Sequence, residues 1–174
     1  MQFHPETSYK ITQSPWGLLT LAAKPSGLCG VWFETQKHFP DIRSWALSNQ
    51  HPTLLQAEDC LRNYFDKQWP KATSARQALQ SLSLDLSLGT AFQQAVWHAL
   101  MSIPLGQTCS YGELAAAIGR PTAVRAVGSA VGRNPMSILI PCHRVVGSQG
   151  QITGYAGGIW RKQALLKLEN ASIS

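Results

Sequence analysis

Between Thr90 and Gly132 the chain is punctuated so densely that only short helices separated by tight turns fit. Thr90-Ala91-Phe92-Gln93 is a capping box: the threonine side chain can accept from the backbone N–H three residues on, and the glutamine there can reciprocate. Phe92, Val96 and Leu100 then fall on one face of the helix it opens, and Pro104-Leu105-Gly106 ends it. Ser110-Tyr111-Gly112-Glu113 is a second capping box, opening a short helix from Leu114 to Ile118 that Gly119 stops. Pro121 suits the first turn of a third helix running to about Gly132. Two short helices joined by a tight glycine-containing turn form the helix-turn-helix pattern.

The third of these helices has an unusual surface. Ala123, Ala126, Gly128, Ser129, Ala130 and Gly132 are all small, and Arg125 is the one long charged side chain inside it. Glycine is costly within a helix unless close approach of something else compensates. Another helix, a protein partner or a nucleic-acid groove would each supply that approach, and a groove accounts for Arg125 as well. Generic helix-turn-helix logic puts such a helix in the major groove of DNA. The charge distribution points the same way. Residues 1–87 carry 8 Lys+Arg against 7 Asp+Glu, whereas residues 88–174 carry 7 against 2. A basic half suits a polyanionic partner, nucleic acid first, although plain solubility would also use it.

The first half is quieter. Residues 9–34 read as a strand pair, Leu18 to Ala22 and Val31 to Phe33, divided by the turn signal Lys24-Pro25-Ser26-Gly27. Residues 53–66 read as an amphipathic helix with Leu54, Ala57, Leu61 and Tyr64/Phe65 at helical spacing. The Ser- and Leu-rich stretch from Trp69 to Gly89 reads as the link between two domains, 1–87 and 88–174. Nothing in residues 1–88 looks catalytic. With 44% hydrophobic and 14% charged residues, the chain suits a folded protein rather than a disordered one. Its apolar runs are too short to span a bilayer. The first residues lack the basic and apolar regions of an export signal, and Cys29, Cys60, Cys109 and Cys142 form no CxxC pair. A reducing, cytoplasmic setting is expected, and a monomer is the default.

Chemistry concentrates at Ser137-Ile138-Leu139-Ile140-Pro141-Cys142-His143-Arg144-Val145-Val146-Gly147. Pro141 has no N–H, so it ends strand pairing just before the thiol. Imidazole and guanidinium groups beside a thiol lower its pKa, and the thiolate is the nucleophile. Adjacent residues in an extended chain face apart, so a turn or a bridging water must connect Cys142 with His143. Cys142 as a small core hydrophobe is the plainer alternative. Downstream, Gly154-Tyr155-Ala156-Gly157-Gly158 suits a backbone closing over a flat ligand, or a surface loop. It lacks the strand and helix context of a nucleotide-cofactor site. A last helix spans about Trp160 to Glu169, whose carboxylate sits where the helix dipole disfavours it. A partner such as His143 would explain that placement, and so would a solvated chain end.

Taken in order, these blocks resemble the O6-alkylguanine-DNA alkyltransferases, also called methylated-DNA–protein-cysteine methyltransferases. The resemblance covers residues 88–174 in detail: Gly89-Thr90 with Phe92-Gln93 and Val96-Trp97, Ser110 to Ala115, Arg125-Ala126-Val127-Gly128, Asn134-Pro135, Ile138 to Val145, Gly154 to Gly158, and Lys162 through Leu165-Leu166 to Glu169. The first half resembles the family only loosely, at Ser14-Pro15-Trp16-Gly17 and near Leu61 to Phe65. Ala91 stands where many members carry proline, and Ala156 where some carry serine.

That resemblance implies an α+β protein, a small ribonuclease-H-like α/β domain followed by a mainly helical winged helix-turn-helix domain. It implies a recognition helix in the minor groove rather than the major one, carrying Thr122, Ala123, Arg125, Ala126, Gly128 and Arg133, with the target nucleotide flipped out. Arg125 would fill the vacated space. Cys142 would take the alkyl group irreversibly, His143 would act as base through a water, and Glu169 would orient the imidazole. Tyr111 would donate to guanine N3. Tyr155, Val145, Ala156, Val131 and Pro141 would form the pocket, and Asn134 the hinge beside it. The expected partner is double-stranded DNA containing alkylated bases, O6-alkylguanine and possibly O4-alkylthymine in kind, with no cofactor and no metal. An alkyltransferase-like protein that binds the lesion without repair is the nearest rival, but that type lacks the cysteine. A regulator with an N-terminal metal sensor is disfavoured because no cysteine cluster precedes Cys29. A cysteine hydrolase leaves Arg125 and the small-residue helix unexplained.

Overall fold

The computed structural model describes residues 6–69, 77 and 79–171. Strands β1 (Ser8–Ser14), β2 (Gly17–Lys24) and β3 (Gly27–Phe33) form an antiparallel meander, and the short β4 (Ala46–Leu47) adds parallel to β1, giving the order β3-β2-β1-β4. The stretch expected as a strand pair therefore holds three strands. Ser14-Pro15-Trp16-Gly17 is a second tight turn, with Ser14 Oγ donating to Gly17 O at 2.6 Å and Gly17 at φ +114°. β1 escapes a hydrophobic reading because its face away from the core is wet, Ile11 being 46% exposed. Helix α1 (Pro52–Phe65) lies on the sheet with Leu54, Ala57, Leu61 and Tyr64 buried, as its periodicity predicts.

The outer edge of β3 does not end in solvent. Leu28 N donates to Ser83 O at 2.8 Å and accepts, through its carbonyl, Asp85 N at 2.7 Å. Farther along, Val31 N donates to Pro135 O at 2.9 Å and Ser137 N to Val31 O at 2.8 Å. Two later segments thus pair with one strand, satisfying an edge that would otherwise invite aggregation. The first is pinned by a buried Lys24–Asp85 ion pair at 3.2 Å, with Ser26 also donating to Asp85. Part of the expected link, residues 70–76 and 78, lies outside the described residues. The remainder is packed rather than loose, because Leu79, Leu82 and Leu86 are buried in the core. The second segment leads straight into the cysteine.

Residues 91–168 supply α2 (Ala91–Leu100), β5 (Cys109–Ser110), α3 (Tyr111–Ala117), α4 (Val124–Gly132), β6 (Val145–Val146) and α5 (Ile159–Leu168). Both capping boxes form. Gln93 N donates to Thr90 Oγ1 at 3.2 Å and Glu113 N to Ser110 Oγ at 3.1 Å, each reciprocated by the acidic or amide side chain. Gly119 stops α3 at φ +69°. Pro121 does not open α4, contrary to the sequence expectation. It lies in the preceding turn, which Ala123 N closes on Arg120 O at 2.9 Å, and the helix starts only at Val124. Helix α4 packs on α2 and α3, with Trp97 Nε1 donating to Ala130 O at 2.9 Å. One hydrophobic cluster runs from Leu21, Phe33 and Leu61 through Trp97, Val127 and Ile140 to Leu165. The class is α+β, and among the described residues no helix is long and apolar enough to cross a membrane.

Candidate active site

The apolar run before the thiol is a coil of tight turns, not a strand. After Met136 leaves β3, Leu139 N donates to Ser137 O at 2.9 Å, Ile140 N to Met136 O at 2.9 Å and Cys142 N to Ile140 O at 2.8 Å. Ile138 adopts φ +72° within it, a costly conformation for a β-branched residue. Complete burial of Ile138, Leu139 and Ile140 holds the turn in place. Pro141 then leads into a 3₁₀ turn, Cys142–Arg144, and this turn meets the demand that the backbone bend between thiol and imidazole.

Asn134 clamps the turn from behind. Its Nδ2 donates to Ile140 O at 2.8 Å, to Met136 O at 3.3 Å and to Cys142 Sγ at 3.0 Å, while its Oδ1 accepts from Met136 N at 3.0 Å. One amide therefore fixes the loop and presents a donor to sulfur. Burial pushes the Cys142 thiol above its ordinary value, and the Asn134 donor and the Lys162 ammonium oppose that rise. The nearby cation is thus Lys162 on α5, not Arg144 as adjacency in sequence suggests. Lys162 is fully buried, donates to Val145 O and to Thr153 O at 3.0 Å, and burial lowers its own pKa to about 8.

Arg144 is committed elsewhere. Its Nε donates to Glu169 Oε2 at 2.8 Å, its Nη2 to Oε1 at 2.9 Å and its Nη1 to Ile103 O at 2.6 Å. His143 Nε2 meets Glu169 Oε1 at 2.8 Å. Burial would raise the Glu169 carboxyl, but His143 and the Arg144 fork outweigh it and hold the group well below the usual carboxylate range. An ionised carboxylate only accepts, so Nε2 carries the proton and the neutral ring presents Nδ1 as its basic atom. Nδ1 is buried without a hydrogen-bond partner. Burial pushes the imidazole below its ordinary pKa, with Glu169 pulling it back up.

A cavity of about 470 Å³ opens over the sulfur, lined by Cys142, Tyr111, Gly128, Val131, Tyr155 and Ala156 among others. The fold and this constellation set the terms for comparison with known proteins. Residues 91–171 match the family described as 6-O-methylguanine DNA methyltransferase, DNA binding domain. The methylated-DNA–protein-cysteine methyltransferase of Mycobacterium tuberculosis is 44% identical over 164 residues, 94% of this chain and 92% of that protein. The protein of the same name from Methanosarcina barkeri is 42% identical over 95% of this chain and 98% of its own length. The crystal structure of M. tuberculosis OGT in complex with DNA superposes with a TM-score of 0.80 over 94% of this chain and 92% of that one, at 44% identity. The chain belongs to the methylated-DNA–protein-cysteine methyltransferase family.

The residues singled out by sequence fall into three groups in this methyltransferase. Tyr111, Gly128, Val131, Arg133, Tyr155 and Ala156 share the cavity with Cys142. Pro141, Val145, Asn134, His143 and Glu169 are buried around or behind the thiol. Thr122, Arg125 and Ala126 are exposed on the outer surface at the start of α4, with Ala123 half-buried beside them. A Cβ on Gly128 would meet the Tyr111 ring at 3.7 Å, an ordinary contact, so helix α4 runs close beside that tyrosine. Thr153 Oγ1 in turn lies 3.2 Å from Tyr111 OH.

Sequence reasoning missed the contribution of the first half. Lys37 and His38, from the loop after β3, form part of the cavity rim, and Lys37 N donates to Ala156 O at 2.9 Å. Tyr64 donates to Glu169 Oε1 at 2.7 Å. In sequence, Tyr64 is one more apolar position on an amphipathic stripe, and no local signal marks its hydroxyl. Among the described residues no group of three or more His, Cys, Asp or Glu is placed to hold a metal ion.

Proposed function

We propose that the protein binds duplex DNA containing O6-alkylguanine and moves the alkyl group onto Cys142 Sγ, once per molecule. The observation that carries this reading is a cysteine at the floor of the cavity, backed by a His–Glu pair whose second ring nitrogen is free to accept a proton. Burial disfavours the thiolate, so a base is needed. Neutral His143 takes the proton from Cys142 through a water, and Asn134 and Lys162 stabilise the sulfur anion that results. The S–C bond forms as the C–O6 bond breaks, and the electron pair passes into the guanine. Tyr111 donates to N3, where part of that charge lands. The proton taken from Cys142 returns from His143 through water to the guanine anion, so guanine departs neutral and His143 is neutral again. A thioether has no route back to thiolate here, which makes the reaction stoichiometric.

Thr122, Ala123, Arg125, Ala126, Gly128 and Arg133 place α4 against the minor groove. The small side chains allow close approach, and Arg125 enters the stack where the nucleotide leaves it. The strand order β3-β2-β1-β4 with α1 on one face supports a ribonuclease-H-like unit in residues 1–87. The pair α3–α4, flanked in the chain by the parallel-paired strands β5 and β6, supports a winged helix-turn-helix in residues 88–174. The protein acts as a monomer in the cytoplasm, a setting in keeping with its free cysteines.

The test is transfer of label from duplex DNA carrying O6-[³H-methyl]guanine, with Cys142→Ser alongside. Label saturating near one per molecule, and absent from the variant, is the expected result. Tight lesion binding without transfer would replace this reading with that of a binding protein of the alkyltransferase-like type.

A further inference from the structure

Tyr64 belongs to α1, in the half of the chain without a catalytic signal, yet its hydroxyl reaches Glu169 across 105 residues of sequence. The oxygen it meets, Oε1, also takes His143 Nε2 at 2.8 Å and Arg144 Nη2 at 2.9 Å. Oε2 takes Arg144 Nε at 2.8 Å and Gly106 N at 3.4 Å. A carboxylate oxygen has about two lone-pair directions, so three donors on Oε1 compete for the same charge. Density drawn toward the phenol is not available to the imidazole. Tyr64 is itself 2% exposed, and its ring is held edge-on by Phe65 and Trp69 at 5.5 and 5.2 Å between centroids. Burial, reinforced by the Glu169 charge, keeps the phenol protonated far above its ordinary range, so it serves as a permanent donor.

We propose that Tyr64 is a positioning residue of the transfer reaction, whose hydroxyl fixes Glu169 Oε1 and limits how strongly that oxygen holds the protonated imidazole of His143. The inference rests on the reading above, in which neutral His143 accepts the Cys142 proton. The charged and titratable groups around His143 are Lys162 on α5 and Glu169 at its C-terminal cap, Arg144 and Cys142 on its own turn, and Tyr64 on α1 acting through Glu169. Arg144 and Lys162 disfavour the imidazolium, Glu169 favours it, and Tyr64 tempers Glu169. Removing the hydroxyl frees charge on Oε1, so His143 keeps its proton to higher pH. Base function is then lost earlier as the solution is acidified.

The experiment is single-turnover transfer from the labelled duplex to the intact protein across roughly pH 5 to 9, comparing wild type with Tyr64→Phe. An ¹⁵N-imidazole NMR titration of His143 accompanies it in both proteins. The acid limb should move up by about half to one pH unit, making transfer roughly three- to tenfold slower within the limb and little changed on the alkaline plateau. Replacing Tyr64 with 3-fluorotyrosine, a stronger donor of the same shape, should move the limb the opposite way, and it serves as the test if the phenylalanine variant does not fold. A rate reduced by one factor at every pH, with an unmoved His143 titration, would overturn the inference and leave Tyr64 as packing. A wild-type protein that transfers label without any acid limb would overturn the role of His143 instead, and the titration would still judge Tyr64.

Discussion

Cys29 and Cys142 are both buried thiols entered from apolar segments, and burial raises the pKa of each. What separates them is the direction of their hydrogen bonds and the sign of the surrounding charge. Cys29 Sγ donates to Ala22 O at 3.4 Å, a contact that only a protonated sulfur can make. Burial is opposed there by Lys24 but reinforced by Asp85, leaving the thiol at about 12. Cys142 Sγ accepts from Asn134 Nδ2 at 3.0 Å, has the Lys162 ammonium favouring its thiolate, and borders a cavity. Both sulfurs are buried, yet one is inert and the other is one proton transfer away from being a nucleophile. Depth alone therefore says little about a cysteine, whereas the role it plays in its hydrogen bond says a great deal.

The sharpest way to break this comparison is to exchange the roles. Cys142→Ser should abolish capture of the methyl label, a loss of roughly a thousandfold or more, because an alcohol is a far weaker nucleophile than a thiolate. Cys29→Ser should transfer at the wild-type rate in the same assay. Next in size is Glu169→Gln. It leaves Arg144 buried without a counter-charge and should cost about 3–5 kcal/mol of unfolding free energy in a urea titration, along with transfer. The carboxylate near Cys29 offers the contrast: Asp85→Asn should cost about 2 kcal/mol and leave transfer intact.

Arg125→Ala should slow transfer from duplex DNA by about 10- to 100-fold, the price of unstacking a base without a replacement, and leave transfer from the free O6-methylguanine base unchanged. Equal loss on both substrates would remove Arg125 from the flipping step. A smaller effect comes from pH. The folded-state pKa of His143 lies below its unfolded value, so the unfolded chain binds more protons. Stability contributed by neutral His143 is present above about pH 6.5 and declines below it, and transfer should fall about tenfold per unit once pH passes below the folded value. Smallest of all, Cys29→Ala should cost about 1 kcal/mol in the urea titration with no change in transfer.

The parts of this molecule that could be read from sequence are the ones decided locally. Both capping boxes, α1, and the stop at Gly119 follow from side chains within four residues of the backbone they serve. Membership of the family was equally legible, since its ordered blocks lie in one stretch. The misreadings have a common origin. An apolar run such as Ile138 to Ile140 looks like a strand when only its composition is visible, and only the packed core shows why it coils. β1 is hard to separate from its neighbour because its polar Lys10 and Thr12 face α1, where they meet Glu58, while Ile11 is exposed. Pro121 reads as the start of α4 because proline fits a first turn as readily as the turn before it. Tyr64, Lys37 and His38 carry no local signal of function, because what makes them interesting is supplied by residues more than seventy positions away.

That distance has a consequence for how the molecule comes into being. Joining Tyr64 to Glu169 closes a loop of 105 residues, an entropic cost on the order of 4 kcal/mol that must be met before the contact returns anything. Glu169 is also later in the chain than every other group of the site, so on the proposed mechanism a growing polypeptide presents Cys142 well before it can activate it. On that mechanism, competence waits for the helix that Glu169 caps to pack against both halves. A protein consumed by each reaction must be made anew for every lesion, and on the proposed mechanism the nucleophile is armed only in copies whose last described helix has docked.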